Sequence, residues 1–136
     1  MKFKYRKINL TSPFSRKFIS RPIIPVSIKY KGRSVYYEAL IDSGADFTIL
    51  PLGLAEILNI EYSKSKEILF TGVDEGILKG IISNVNIEIA GSKYETSIVF
   101  AQISGTIGIL GQIGFFDKFV VKFDLQKEDL EIKPRS

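Results

Sequence analysis

Short apolar runs alternate with turn residues along most of the chain, and this pattern predicts an all-β protein. Residues 2–6 alternate charged and aromatic side chains, which is typical of a strand with one buried face. Further strand-like runs occur at 21–30, 34–41, 68–72, 77–82, 85–89, 94–100, 119–124 and 130–133. We expect one short helix after Pro51, ended by Asn59, and a second beginning near Gln112.

Turn residues join several of these runs into hairpins. Lys31-Gly32-Arg33 separates one pair of runs, and residues 90–93 separate another. The runs at 68–72 and 77–82 enclose Val73-Asp74-Glu75-Gly76, which predicts a hairpin with a polar, glycine-containing tip. On these residues alone, an ordinary surface hairpin explains the pattern equally well.

Residues 96–116 carry no charge over 21 positions, which is long enough to raise the question of a membrane helix. Only 11 of these residues are apolar, six are Ser, Thr or Gln, and glycine recurs at every third position from 105 to 114. This composition predicts loops and close backbone packing, and we do not expect a membrane span.

The stretch 39–50 differs from the other strand-and-turn patterns. The run Ala39–Ile41 lacks polar alternation, which predicts a strand buried on both faces, and it ends directly on Asp42-Ser43-Gly44 before apolar residues resume. An Asx-type turn explains Asp-Ser-Gly by itself. The apolar residues on both sides, however, predict a turn that is buried in the core. An unpaired buried carboxylate is costly, so we expect Asp42 to have hydrogen-bond donors or a charged partner.

The amino-acid composition removes several kinds of catalytic chemistry. The 136 residues include no His and no Cys, which excludes a Ser-His-Asp triad, thiol nucleophiles, disulfides, and zinc sites built on histidine or thiolate ligands. The length is that of one domain. Hydrolysis, if the chain performs it, must therefore rest on carboxylates, hydroxyls or lysines.

The net charge of +4 is concentrated at the start of the chain. Residues 1–21 contain seven basic residues and no acidic residue, whereas the remainder is nearly neutral. We therefore divide the chain into a basic N-terminal arm, 1–20, and a domain, 21–134. Such an arm can touch nucleic acid or anionic lipid, but it is more often a solvated strand or a flexible end. No apolar segment typical of a secretion signal follows the first lysines, so we expect a cytoplasmic protein.

The stretch 39–50 resembles the active-site signature of the aspartic proteases, and Ala45-Asp46 is most similar to the retroviral-type, or retropepsin, branch. The hairpin at 68–82 takes the place of the flap that closes over substrate in that family. Ile107-Gly108-Ile109-Leu110-Gly111 resembles the apolar element that passes beside the catalytic loop. The resemblance is stronger to compact bacterial and cellular members than to viral ones.

This resemblance implies a retropepsin-like closed barrel and a set of site residues. Asp42 would be catalytic, Ser43 would brace two catalytic loops across a dimer, and Gly44 would support the site. Other positions would contact an extended peptide substrate: Ala45, Asp46, Thr71, Gly72, Val73, Ile107 and Ile109.

The chain has only one Asp-[Ser/Thr]-Gly sequence, whereas the chemistry of the family needs two carboxylates that share a proton. A two-fold homodimer would supply the second, because equivalent residues meet at the symmetry axis. The expected partners are a peptide or protein substrate and a second copy of the chain. We expect no cofactor, no metal and no membrane, and we do not favour nucleic acid as a partner.

Two departures from the family pattern leave alternatives open. Gln112 stands where retropepsins place an arginine that pairs with the residue equivalent to Asp46. The chain ends also differ from the short viral termini. The alternative functions are a catalytically silent, dimeric peptide-binding module and, less favoured, a nucleic-acid-binding accessory protein that uses the basic arm.

Overall fold

The computed structural model describes residues 1–11, 13–71, 76–103 and 107–136. These residues form strands with two short helical segments, α1 (Leu52–Ile57) and a 3-10 helix (Tyr62–Lys64). The strands are β1 (Lys2–Lys4), β2 (Arg6–Asn9), β3 (Phe18–Arg21), β4 (Ile23–Tyr30), β5 (Arg33–Ile41), β6 (Ile49–Pro51), β7 (Lys66–Thr71), β8 (Ile77–Ile89), β9 (Ser92–Ala101), β10 (Gly108–Leu110), β11 (Phe119–Asp124) and β12 (Asp129–Pro134). The predicted all-β class, with short helices, is confirmed.

Seven strands form the main sheet in the order β4-β5-β10-β6-β9-β8-β7. Because β4 also pairs with β8, the first six strands close into a ring, and β7 pairs with β8 alone. Closure leaves few free edges and encloses a single main core. Ile24, Ile28, Leu50, Phe100 and Leu110 have no exposed surface in this core, and each such side chain stabilises the fold by about 1.5–3 kcal/mol.

The helix after Pro51 forms as predicted because its apolar side can cover the sheet. Leu54 and Ala55 of α1 are buried in the core, and Leu58 is buried just beyond the helix end. Asn59 has a φ of 62°, the left-handed conformation with which a helix commonly ends. The chain direction therefore changes at the predicted residue.

Three predictions about the elements were wrong in detail. The runs at 77–82 and 85–89 are one continuous strand, β8, because both pair in register with β9. No helix begins at Gln112; residues 112–118 form successive turns instead. Residues 18–20 of the basic arm, which lie outside the predicted runs, are part of β3, and this strand pairs with β2.

A smaller sheet contains both ends of the chain, in the order β1-β12-β11. The Met1 amino group donates to the Ile132 carbonyl, so β1 from the basic arm is held by β12 of the same chain. Arg6 pairs with Glu38, and Lys7 pairs with Glu128 at 3.2 Å. Part of the positive charge of the arm is therefore used in contacts within the chain.

None of the helices in the described ranges is long and apolar enough to cross a membrane.

Candidate active site

The Asp42-Ser43-Gly44 loop begins where β5 ends, and backbone hydrogen bonds hold its start. The Asp42 N–H donates to the Leu110 carbonyl at 3.0 Å, and the Ala45 N–H donates to the Asp42 carbonyl at 3.1 Å. The Gly44 N–H donates to Asp42 Oδ1 at 3.0 Å. Asp42 thus has the backbone donor that the sequence led us to expect, and its carboxylate has a defined orientation.

The loop is not buried in the core, contrary to the prediction from its apolar flanks. Ser43 and Gly44 are exposed and Asp42 is half-buried, while Ile41 and Ile49 on either side are buried. The strands enter the core, but the tip between them emerges at the surface of the single chain. The loop therefore presents its carboxylate at a surface that another molecule can reach.

Strand β10 passes between the two strands that flank this loop. It runs parallel to β5, with Leu110 beside Ile41, and antiparallel to β6, with Ile109 beside Ile49. A Cβ on Gly108 would lie 2.5 Å from Leu50 Cδ2, so a larger residue there would require the buried Leu50 side chain to move. The predicted element Ile107–Gly111 does lie beside the loop.

Backbone hydrogen bonds from the residues after β10 hold the residues that follow Gly44. The Gln112 N–H donates to the Ala45 carbonyl at 2.9 Å, and the Ile113 N–H donates to the Asp46 carbonyl at 3.0 Å. A Cβ on Gly111 would lie only 2.2 Å from the Phe47 carbonyl oxygen. Close contact between two backbone segments thus makes glycine necessary at position 111.

The side chains of Gln112 and Asp46 do not replace the ion pair expected from the family pattern. Both side chains are exposed, and within the described ranges no hydrogen bond joins them. The two backbone bonds from residues 112 and 113 hold this part of the loop instead.

Thr48 is a further residue of the site, one that the sequence did not single out. Its side chain has no exposed surface, and Thr48 Oγ1 accepts a hydrogen bond from the Gly111 N–H at 3.3 Å. Its own N–H donates to the Ile113 carbonyl at 3.0 Å. The sequence does contain a signal that could have identified Thr48: it is a polar residue between two apolar ones, Phe47 and Ile49. Thr48 is a positioning residue for the strand that borders the loop.

The hairpin of β7 and β8 is packed against the same loop. The rings of Phe47 and Phe70 lie edge to face with centroids 6.1 Å apart, and both join an apolar cluster with Ile109. Thr71 is exposed at the end of β7, and Ile107 is half-buried just before β10. Of the predicted substrate contacts, Gly72 and Val73 lie outside the described residues.

Tyr94 supports the turns that follow Gly111. Its hydroxyl donates to the Gly114 carbonyl at 2.8 Å, and its ring contacts Phe119 edge to face at 5.6 Å. Burial, with a smaller contribution from the negative charge of Asp117, raises the pKa of Tyr94 well above its ordinary value of 10. The neutral hydroxyl is therefore the form that the folded chain stabilises.

Comparison with known proteins agrees with this geometry. A family model described as retroviral aspartyl protease matches residues 19–114, which is more than half of the chain. The chain therefore belongs to the retroviral aspartyl protease family. A solved structure of EIAV protease complexed with the inhibitor HBY-793 has a similar fold, with a TM-score of 0.54 and 23% sequence identity. The match covers 76% of this chain and 88% of the EIAV chain. No curated protein sequence matches the chain.

Proposed function

We propose that the chain is a homodimeric aspartic endopeptidase that hydrolyses peptide bonds through a water activated by paired Asp42 carboxylates, one from each subunit. The observation that carries the proposal is the position of the Asp42-Ser43-Gly44 loop. It combines a carboxylate oriented by the Gly44 N–H with an exposed tip at the end of β5, a strand that pairs with β4 on one edge and β10 on the other. Family membership supports the same reaction class.

The Ser43 hydroxyl and the small size of Gly44 are not explained by contacts within the single chain. Within the described ranges the Ser43 hydroxyl makes no hydrogen bond, although it is exposed and can both donate and accept. A Cβ on Gly44 would meet only Asp42 Oδ1, at an ordinary 3.4 Å. A second loop at a two-fold axis would explain both residues, because it would bond to Ser43 and approach Gly44 closely.

The dimer would complete a carboxylate pair. Two carboxylates about 3 Å apart cannot both ionise, so the pair holds one proton. The ionised Asp42 removes a proton from water, the water oxygen attacks the carbonyl carbon, and the protonated Asp42 donates to the carbonyl oxygen. Collapse of the tetrahedral intermediate then breaks the C–N bond: the Asp42 that took the water proton gives it to the leaving nitrogen, and the other Asp42 takes back a proton from the intermediate's hydroxyl.

The substrate would bind as an extended strand above this pair. Ala45 and Asp46 would contact its backbone from below, and the β7–β8 hairpin, which includes Thr71, would cover it from above. Gly72 and Val73 are assigned to the same role by their place in the sequence. Ile107 and Ile109 would contact apolar substrate side chains, since both are only half-buried in the single chain.

The second candidate is a catalytically silent, dimeric peptide-binding module. The observation that favours it is Gln112, which leaves Asp46 without the family's arginine partner. Against it, the backbone bonds from residues 112 and 113 hold the Asp46 segment without an arginine. We therefore favour the enzyme.

A cleavage assay separates the two candidates. The unmodified protein should hydrolyse an unfolded polypeptide, and Asp42→Asn should lower the rate by at least about a thousandfold while keeping Oδ1 as the acceptor for Gly44. Glu95→Gln removes the same charge from an exposed residue of β9 and should leave the rate unchanged. Equal cleavage by the Asp42→Asn variant would refute the mechanism. Peptide binding by a dimer that never cleaves would establish the silent module.

A further inference from the structure

A large cavity lies next to the candidate active site but does not include the Asp42 loop. Its volume is about 680 Å³, which is within the range of ligand-binding pockets. Phe47 and Ile113 line the cavity, and these two residues directly follow Asp46 and Gln112 at the end of the loop. Among the described residues, Asp42, Ser43 and Gly44 are not part of the lining. We call this space the cationic cavity because basic residues outnumber acidic ones in its lining.

The lining of the cationic cavity has an excess of positive charge. Four basic residues line it and one acidic residue, Glu61, which pairs with Lys64 at 3.2 Å. Lys31, Arg33 and Lys66 have no acidic partner among the described residues. Lys31 lies over the Tyr30 ring at 5.3 Å, a contact that leaves its charge in place. Three cations from the β4–β5 turn, the start of β5 and the start of β7 therefore surround one space.

The cavity is also bordered by residues 83–85 of β8, which pair with β9 on one edge and with no described strand on the other. Strand β4 pairs with residues 86–88 of β8, and β7 pairs with residues 77–82 of the same strand. Residues 83–85 of β8 pair with neither, because β4 and β7 diverge at this point. Ser83 and Asn84 line the cavity in this gap. Backbone groups in such a gap can bond to the backbone of another polypeptide segment.

We propose that the cationic cavity binds an acidic segment of the polypeptide substrate, beyond the part that lies over the Asp42 loop. The proposal rests on the proposed function for the identity of the polypeptide as a substrate. Carboxylates of the segment would pair with Lys31, Arg33 and Lys66, and its backbone would bond to residues 83–85. The site would select substrates that carry acidic residues at a fixed distance from the cleaved bond.

A peptide fits these features better than a nucleic acid does. Both ligands carry anionic groups that can pair with the three cations. Only a peptide also supplies alternating N–H and carbonyl groups that can bond to the free edge of residues 83–85. The three cations also lie on two separate segments, the β4–β5 hairpin and the start of β7, which suits several separate carboxylates better than one compact anion. The two ligands are distinguished in the experiment below.

Binding is measured in the Asp42→Asn variant, so that the result does not depend on catalysis. The probe is a fluorescein-labelled glutamate-rich peptide, followed by fluorescence anisotropy at physiological salt. Replacing Lys31, Arg33 and Lys66 together by Gln should weaken binding about tenfold. The control replaces Lys118, Lys122 and Lys127 by Gln, which removes equal charge from exposed positions elsewhere, and should change affinity less than about twofold.

Three outcomes would overturn the proposal: no binding of the probe, equal losses in the two triple variants, or tighter binding of a single-stranded oligonucleotide of equal charge through the same three cations. The last outcome would assign the cavity to nucleic acid. Hydrogen exchange gives a test without any cavity variant, because bound peptide should slow exchange at residues 83–85 and unchanged exchange there would contradict the proposed contact. Since every arm uses a protein that cannot cleave, a failed cleavage assay and a failed binding assay remain separate results.

Discussion

Thr48 and Gly111 are joined by a buried hydrogen bond, in which Thr48 Oγ1 accepts the Gly111 N–H at 3.3 Å. The bond connects the segment after the Asp42 loop to the segment after β10. Thr48 has no exposed surface, so water cannot replace the bond if the hydroxyl is removed. This one polar side chain therefore holds two of the segments that define the candidate site.

The first prediction concerns this hydroxyl. Thr48→Val keeps the shape but leaves the buried Gly111 N–H without an acceptor, which should lower the free energy of unfolding by about 1–3 kcal/mol. Thr48→Ser keeps the acceptor and loses one methyl group, at a cost of about 1 kcal/mol. Urea unfolding of both variants is the measurement. A Val variant as stable as the unmodified chain would show that the bond contributes nothing.

The second prediction concerns the close backbone contact at Gly111. Gly111→Ala would place Cβ 2.2 Å from the Phe47 carbonyl oxygen, and relief of this overlap requires movement of the backbone. We expect a loss of about 3 kcal/mol or more in the free energy of unfolding. Gly53→Ala is the control, because its Cβ would meet no atom within 4 Å and it lies in α1. The control should be stabilised by about 0.5–1 kcal/mol, and similar unfolding of the two variants would refute the argument.

The third prediction tests the proposed dimer through Gly44. The single chain has room for a methyl group there, so Gly44→Ala should change the stability of the monomer by less than about 1 kcal/mol. A second loop close to Gly44 would not have that room, so the dimer dissociation constant should rise at least about tenfold. Sedimentation velocity over a dilution series measures this constant, with Gly53→Ala as the control. An unchanged constant would remove Gly44 from the interface.

The fourth prediction follows from the raised pKa of Tyr94. The unfolded chain loses the Tyr94 proton near pH 10, whereas the folded chain keeps it to higher pH, so this residue makes the free energy of unfolding fall as pH rises above about 10. The contribution of the neutral hydroxyl is fully present below pH 10. Tyr94→Phe should cost about 0.5–1.5 kcal/mol at pH 7, through loss of the bond to Gly114, but should be relatively more stable at alkaline pH.

Urea unfolding at pH 7 and pH 11 measures this change. The difference between the Tyr94→Phe variant and the unmodified chain should shift by about 1 kcal/mol in favour of the variant. Tyr36→Phe, at a residue that is 80% exposed, should unfold like the unmodified chain at both values. A constant difference between the Tyr94→Phe variant and the unmodified chain would mean that Tyr94 does not contribute to the alkaline loss of stability.

The strands and the position of Asp42 could be predicted because they depend on local patterns. Alternation of apolar residues identified most strands, and Asn59 marked the helix end by its tolerance of positive φ. The continuity of β8 could not be predicted, because Ser83 and Asn84 interrupt the apolar pattern but pair with Ile98 and Ser97 of β9. Pairing with the neighbouring strand β9, rather than the run of apolar residues, decided that element.

In the candidate site, too, features of consecutive residues could be predicted, whereas features that depend on residues far apart in the sequence could not. The Asp42-Ser43-Gly44 loop was identified from consecutive residues, but its exposure was not, because apolar flanks say nothing of where the tip points. The role of Thr48 depends on Gly111, which is 63 residues away in the sequence. The cationic cavity lies where the partner of β8 changes from β7 to β4. No single stretch of the sequence shows that these three strands meet there.

The last prediction concerns the pH dependence of cleavage. Two Asp42 carboxylates at a two-fold axis would share one proton, and both the base and the acid of the mechanism depend on that singly protonated state. Further protonation at low pH removes the base, and loss of the shared proton at higher pH removes the acid. The plot of kcat against pH should therefore be bell-shaped and lie on the acidic side of neutral. Initial rates over the acidic and neutral range, at saturating unfolded substrate, measure it. A rate that rises steadily into the alkaline range would mean that paired carboxylates are not the catalytic groups of this chain.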